Sequence, residues 1–148
     1  MRLGIELVPQ TAFFQNLRSE LSSRDWDILR RQVYAAAGNK CEVCGGRGRR
    51  HPVEAHEVWD YDEDNAVQRL VRLEALCPDC HMVKHFGLAQ IQGRENKARA
   101  HLAKVNSWGK KQVDDHIREA FETWHRRSDI HWKLDIAWLA AKNITPLK

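Results

Sequence analysis

The chain has 148 residues, 43% of them hydrophobic and 30% charged, with six Trp but only 8 Gly and 4 Pro; that is enough apolar bulk for one packed domain and excludes wholesale disorder. Twenty-four Lys and Arg against 20 Asp and Glu leave a net charge of +4 and a pI near 9.0, a mild bias toward polyanions in which the clustering of charge, not its total, decides binding. No run approaches the roughly 18 consecutive apolar residues of a membrane span, and residues 1–21 lack the compact apolar stretch of a secretory signal, so a cytoplasmic protein without a membrane partner is expected.

In chain order, residues 1–21 are irregular, with Phe13, Phe14 and Leu17 as packing residues and no chemical signal. Ser22 and Ser23 then precede a helix over Arg24 to Ala37, where Trp26, Leu29, Val33 and Ala36 recur at spacings of three and four and Gly38 supplies the stop. Next come Cys41 and Cys44, a Cys-x2-Cys pair that is matched 32 intervening residues later by Cys77 and Cys80. In a reducing compartment two such pairs read as one closed tetrahedral zinc site, since a two-residue spacer lets both thiolates reach the same ion. Gly45 and Gly46 fit the tight turn and the sulfur-directed amides of a knuckle. A closed four-thiolate site has no open coordination position, so zinc here is scaffold and any chemistry lies elsewhere.

Between the pairs, Pro52 to Asp60 alternates, with Val53, Ala55 and Trp59 on one face and Glu54, His56, Val58 and Asp60 on the other. Asp62 to Asn65 reads as a turn and Val67 to Leu76 as a returning strand. Pro78 opens a helix carrying Cys80 to Phe86, with Gly87 as its stop. Further helices are expected around Arg94 to Val105 and Lys110 to Arg127, the latter with Val113, Ile117, Phe121 and Trp124 as its core stripe; Ile130 to Trp138 fits a strand or a helix.

Eight histidines are the candidates for chemistry. His81 and His85 lie four apart on one helix face, turned away from Cys80, and could share a divalent ion; His56 and Glu54 share a strand face. A strand histidine facing a helix pair is a base-plus-metal arrangement suited to phosphoryl chemistry. His51, His101, His116, His125 and His131 pair with no other ligand at useful spacing and read as surface residues. Arg47, Arg49 and Arg50, and the stretch Arg94, Lys97, Arg99, Lys104, Lys110 and Lys111, are either phosphate contacts or an ordinary solvated face, and Trp59 is the one tryptophan placed to stack on a base.

The order Cys41-x2-Cys44, Glu54-Ala55-His56, Leu76-Cys77-Pro78-Asp79-Cys80-His81, Lys84-His85 resembles the HNH (His-Asn-His) endonucleases of the ββα-metal fold with zinc knuckles, over about residues 26–88. The resemblance implies an α+β protein: a zinc-clamped ββα core over residues 39–88, a helical N-terminal extension over 1–38, and a mainly helical C-terminal extension over 89–148 packed on the core. It further implies nucleic acid as partner, DNA ahead of RNA, with His56 as general base, His81 and His85 holding Mg²⁺ or another divalent ion, and Lys84 joining Arg47, Arg49 and Arg50 at the backbone. Two positions depart from the family pattern. Arg72 stands at the family's Asn and could itself reach the scissile phosphate. Ala55 replaces the ligand before the base, leaving Glu54, then Asp60, as substitutes. The alternative is an inactive zinc-stabilised module that binds nucleic acid or protein on the same scaffold.

Overall fold

A computed structural model describes residues 1–12 and 16–147; Phe13 and Phe14 lie outside the described residues. Helix α1, Ser23–Ala36, starts where the Ser22 hydroxyl accepts the Asp25 N–H at 3.1 Å and ends ahead of Gly38 at φ +64°. Strands β1, Glu54–Asp62, and β2, Val67–Leu76, form an antiparallel hairpin whose turn is closed by the Asp62 carboxylate accepting from the Asn65 backbone and side chain. In register, His56 pairs with Glu74 and Val58 with Arg72, but Trp59 pairs with Leu70, so Val71 is an extra residue, a bulge. The bulge keeps Leu73 and Leu70 on one face with Glu57 and Trp59, while Glu54, His56 and Glu74 occupy the other. Strand β3, Lys133–Asp135, adds parallel to β2, giving the order β1-β2-β3. Nearer the cysteines, Glu42 covers the same edge of β2: its N–H donates to Ala75 O at 2.9 Å and its carboxylate accepts the Ala75 N–H at 2.5 Å.

The hairpin is followed by α2, Pro78–Lys84, α3, Phe86–Ile91, α4, Glu95–Asn106, and α5, Lys110–Arg127. Gly87 does not end the first of these helices. The break falls at His85, whose φ of −98° and ψ of 52° leave helical space, and Gly87 lies inside the restarted helix α3. The stretch 130–138 is neither one strand nor one helix: β3 is followed by a 3-10 turn, Ala137–Lys142. The α+β class holds. Among the described residues no helix is long and apolar enough to cross a membrane.

Two apolar clusters cover the sheet. One joins α2–α5 through Val83, Phe86, Leu102, Val113 and Ile117, with Leu3 from the N-terminal segment. The other packs Leu17, Leu29, Leu70, Leu73 and Leu139, together with Trp26, Trp59 and Trp138, on the opposite face. Burying each such side chain contributes about 1.5–3 kcal/mol, and the face bearing His56 is buried as well, not left to solvent: His56 is 3% exposed.

Residues 1–9 contain no helix; they form an extended strap across α4 and α5. Asn106 Oδ1 accepts the Arg2 and Leu3 N–H groups and its amide donates to Leu3 O, His116 Nε2 accepts the Ile5 N–H at 3.0 Å, and Trp124 Nε1 donates to Val8 O at 3.0 Å. An isolated extended segment has unpaired backbone groups, and here side chains from two helices satisfy them. His116 is therefore a structural acceptor and not a surface residue.

Candidate functional site

Two clusters of potential ligands sit back to back on α2, whose consecutive residues Cys80 and His81 belong to different ones. Cys41, Cys44, Cys77 and Cys80 bring their sulfurs within 4.8 Å of one another. The knuckle amides aim at sulfur as the glycines predicted: Cys44 N–H to Cys41 Sγ at 3.5 Å, Gly46 N–H to Cys44 Sγ at 3.4 Å and Cys80 N–H to Cys77 Sγ at 3.4 Å, with Gly45 at φ +76°. Hydrogen bonding from Cys80 pulls the Cys41 thiol down to about 4, the same bond pushes Cys80 up, and burial pushes Cys77 up to about 11. One thiolate is thus favoured and further ones repel it, so four thiolates need a cation among them; the cluster can hold a metal such as zinc. His101, expected at the surface, has Nε2 3.1 Å from Cys80 Sγ and supplies a contact that no spacing rule would find.

The second cluster is His56, His81 and His85, whose ligand atoms also fall within 4.8 Å of one another. Strand β1 delivers the first; the four-residue spacing on α2, with the backbone turning out at His85, delivers the other two. His81 Nε2 and His85 Nε2 are 3.2 Å apart. Two nitrogens about 2.1 Å from one ion, at a ligand angle of roughly 90–110°, stand about 3.0–3.4 Å apart, so this pair fits a shared divalent ion. Burial, followed by the neighbouring His81 and His56, holds His85 down at about 3, which keeps the imidazole in its ligating neutral form.

Each of the other two rings is set by a carboxylate. Glu54 Oε1 lies 3.0 Å from His81 Nδ1, and that hydrogen bond keeps the Glu54 carboxyl below its usual range. The Nδ1–H therefore donates to Glu54 and Nε2 faces His85, the pattern by which a carboxylate orients a metal-binding histidine. Glu54 thus sits behind His81 in this geometry and is not among the side chains whose ligand atoms converge with His56 and His85. Asp60 is far from that role: it is exposed and bonded to Arg69 at 3.4 Å. His56 Nε2 lies 3.2 Å from Glu6 Oε2, and the same oxygen accepts Lys84 Nζ at 2.7 Å. His56 Nδ1 is buried without a hydrogen-bond partner among the described residues.

The remaining candidates are distributed less simply. Arg72 does not enter the histidine cluster; its guanidinium lies 3.0 Å from Glu74 and 3.8 Å from Glu42, so the expected reach to a scissile phosphate is not what the side chain does here. Lys84, a candidate backbone contact, is buried with its ammonium on Glu6 at 2.7 Å. Arg47, Arg49 and Arg50 are exposed, on a loop pressed against α2: a Cβ on Gly48 would stand 2.3 Å from His51 O and 2.7 Å from Pro78 Cδ. Pro78 in turn lines an open cleft with Glu54, His81, His85, Leu88 and Arg94, so the arginine loop packs on a residue at the wall of the cleft that His81 and His85 line. Of the later basic stretch, Lys97, Arg99, Lys110 and Lys111 are paired with Asp79, Glu95 and Asp114, Asp114, and Asp115 respectively. Trp59 cannot stack on a base at this site; it packs in the apolar cluster on the opposite face and donates to Glu57 at 3.1 Å. No protein-family model, curated protein or solved structure matches the chain.

Proposed function

We propose that the protein is a metal-dependent endonuclease of the HNH type, hydrolysing phosphodiester bonds of nucleic acid, DNA ahead of RNA, in the cleft over His81 and His85. The observation that carries this is the convergence of His56, His81 and His85 from a hairpin and a helix, two of the rings fixed by carboxylates. Four cysteines beside it support a structural zinc and the ββα-metal scaffold.

His81 and His85 would hold the catalytic ion, with Glu54 keeping His81 in the ligating tautomer. A divalent ion there supplies a Lewis acid for the charge that builds on phosphoryl and departing oxygens. Imidazole donors suit a transition ion better than Mg²⁺, which prefers oxygen. His56, with Nε2 occupied by Glu6, has only Nδ1 left to take a proton from water as that water's oxygen bonds to phosphorus and the bond to the departing oxygen breaks. Arg47, Arg49 and Arg50 border the cleft and meet the phosphate backbone. Arg72 acts at one remove, through Glu74, whose carboxylate lies within 4.8 Å of the facing nitrogen of His56 and an oxygen of Glu6.

The test is cleavage of supercoiled plasmid by the metal-loaded protein in Mg²⁺, Mn²⁺, Ni²⁺ or EDTA, with His56→Ala and Arg72→Asn alongside. Cutting that needs the ion and falls at least 100-fold in His56→Ala is expected. No cutting with any ion overturns the reading in favour of a binding module on the same scaffold; in that case activity gained in Arg72→Asn would trace the loss to Arg72.

A further inference from the structure

The N-terminal strap carries no motif, yet it supplies a carboxylate bonded to His56. Glu6 reaches the ring across 50 residues of sequence, and its own backbone N–H donates to Lys84 O at 3.1 Å, seating the strap on the end of α2. A carboxylate can only accept, so the 3.2 Å contact assigns the proton to His56 Nε2 and leaves Nδ1 as the free lone pair. Nδ1 is also buried with no hydrogen-bond partner among the described residues, on a ring whose centroid is 5.3 Å from both His81 and His85. Burying an unsatisfied polar atom is destabilising, a cost that is tolerated where the atom has a use.

We infer that Glu6 is a positioning residue of the histidine site: it locks His56 in the Nε2–H tautomer, so that Nδ1 is the atom offered to the substrate water, and Lys84 and the strap hold Glu6 in place for this. Burial would raise the Glu6 carboxyl, but the bond to His56 and the charge and bond of Lys84 outweigh it and hold it at about 2, so it stays an acceptor throughout the working range. Lys84 therefore serves the site from behind. The anchors on α4 and α5, above all Asn106, which makes three hydrogen bonds to Arg2 and Leu3, serve it at a further remove. This gives the motif-free C-terminal half a role at the site: it holds the strap that holds the base.

The inference rests on the nuclease reading for its consequence but not for its physical content, and the experiment separates the two. Protein labelled with ¹⁵N at histidine, with its metal bound, is compared as wild type, Glu6→Ala, Glu6→Gln and Asn106→Ala, by the nitrogen shifts of His56 and by kcat and KM on a fluorogenic duplex. Expected is a pure Nε2–H signature in the wild type, lost in Glu6→Ala and retained in Glu6→Gln, whose amide oxygen still accepts. In parallel, kcat falls about 100-fold in Glu6→Ala with KM within twofold, recovers to within about 10-fold in Glu6→Gln, and falls severalfold in Asn106→Ala. A merely structural role would move metal content and KM together and would not be rescued by Gln. A His56 signature unchanged in Glu6→Ala, or Glu6→Gln as impaired as Glu6→Ala, overturns the inference. A wild type with the Nε2–H signature that depends on Glu6 but does not cleave upholds the tautomer lock and overturns the nuclease reading alone.

Discussion

The two ligand clusters share a helix and differ in how the chain builds them. The cysteine cluster is assembled from two short knuckles, each carrying its own amide donors to sulfur within two or three residues of the ligand. The histidine cluster takes one ring from β1 and two from α2, and the groups that orient those rings come from 27 and 50 residues away. Thiolates without a cation repel, so a metal held by the first cluster would be tied to folding. Neutral imidazoles do not repel, so the second can be built by protein packing alone. What differs is what each cluster calls for: a cation among four sulfurs that it could hold, against carboxylates already in place on the histidine rings.

The contrast is broken or sharpened most strongly at Cys80. Cys80→Ser should lose the structural metal and with it the cooperative thermal transition, read by metal analysis and circular dichroism; a variant that melts like the wild type would end the claim that this cluster clamps the fold. His81→Ala should do the reverse, lowering cleavage by at least about 100-fold while the cysteine-bound metal stays and the melting temperature moves by only a few degrees. If both metal content and melting collapse, the clusters are one unit and not two.

Acid offers a finer cut. Glu6 is held at about 2 against an ordinary 4.5, so its contribution to stability is complete above pH 4.5 and is lost as pH falls toward 2. Glu6→Gln should flatten the melting-temperature profile in that window and leave pH 7 to 8 nearly unaltered in slope. His116, lowered from 6.5 mainly by burial, must be neutral to accept from Ile5; its contribution is complete above pH 6.5 and declines below it, so His116→Gln should reduce the pH dependence that begins there. The smallest effect is expected at the surface: Lys111→Ala removes an exposed pair with Asp115 and should leave the midpoint of a denaturant titration where it is in the wild type.

The sequence made legible whatever short spacing encodes. The hairpin, the cysteine knuckles, the cap at Ser22, the limits of α5 and the His81–His85 face follow from alternation, two-residue spacers and a four-residue period, and these survive any tertiary context. Glu6, Lys84, His101 and His116 escaped for a common physical reason: each acts through a partner on another element, at separations of 21 residues or more, where no periodicity operates. Trp59 and Asp60 were misread because alternation assigns a face without saying what covers it. Gly87 was misread because a glycine can end a helix but need not; the break falls two residues before it, at His85.

The strap also fixes an order of events in time. Its residues leave the ribosome well ahead of the side chains that anchor it, which stand at 106, 116, 124 and 128, more than a hundred residues later. At synthesis rates of roughly 5–20 residues per second, Glu6 waits about 6–24 s for the last of them. Long-range closure of this kind is slow relative to a local hairpin or helix. The hairpin and both knuckles are complete while the strap is still unanchored, so His56 acquires its orienting carboxylate last, and a nascent chain carries the scaffold of the histidine site before it carries the finished site.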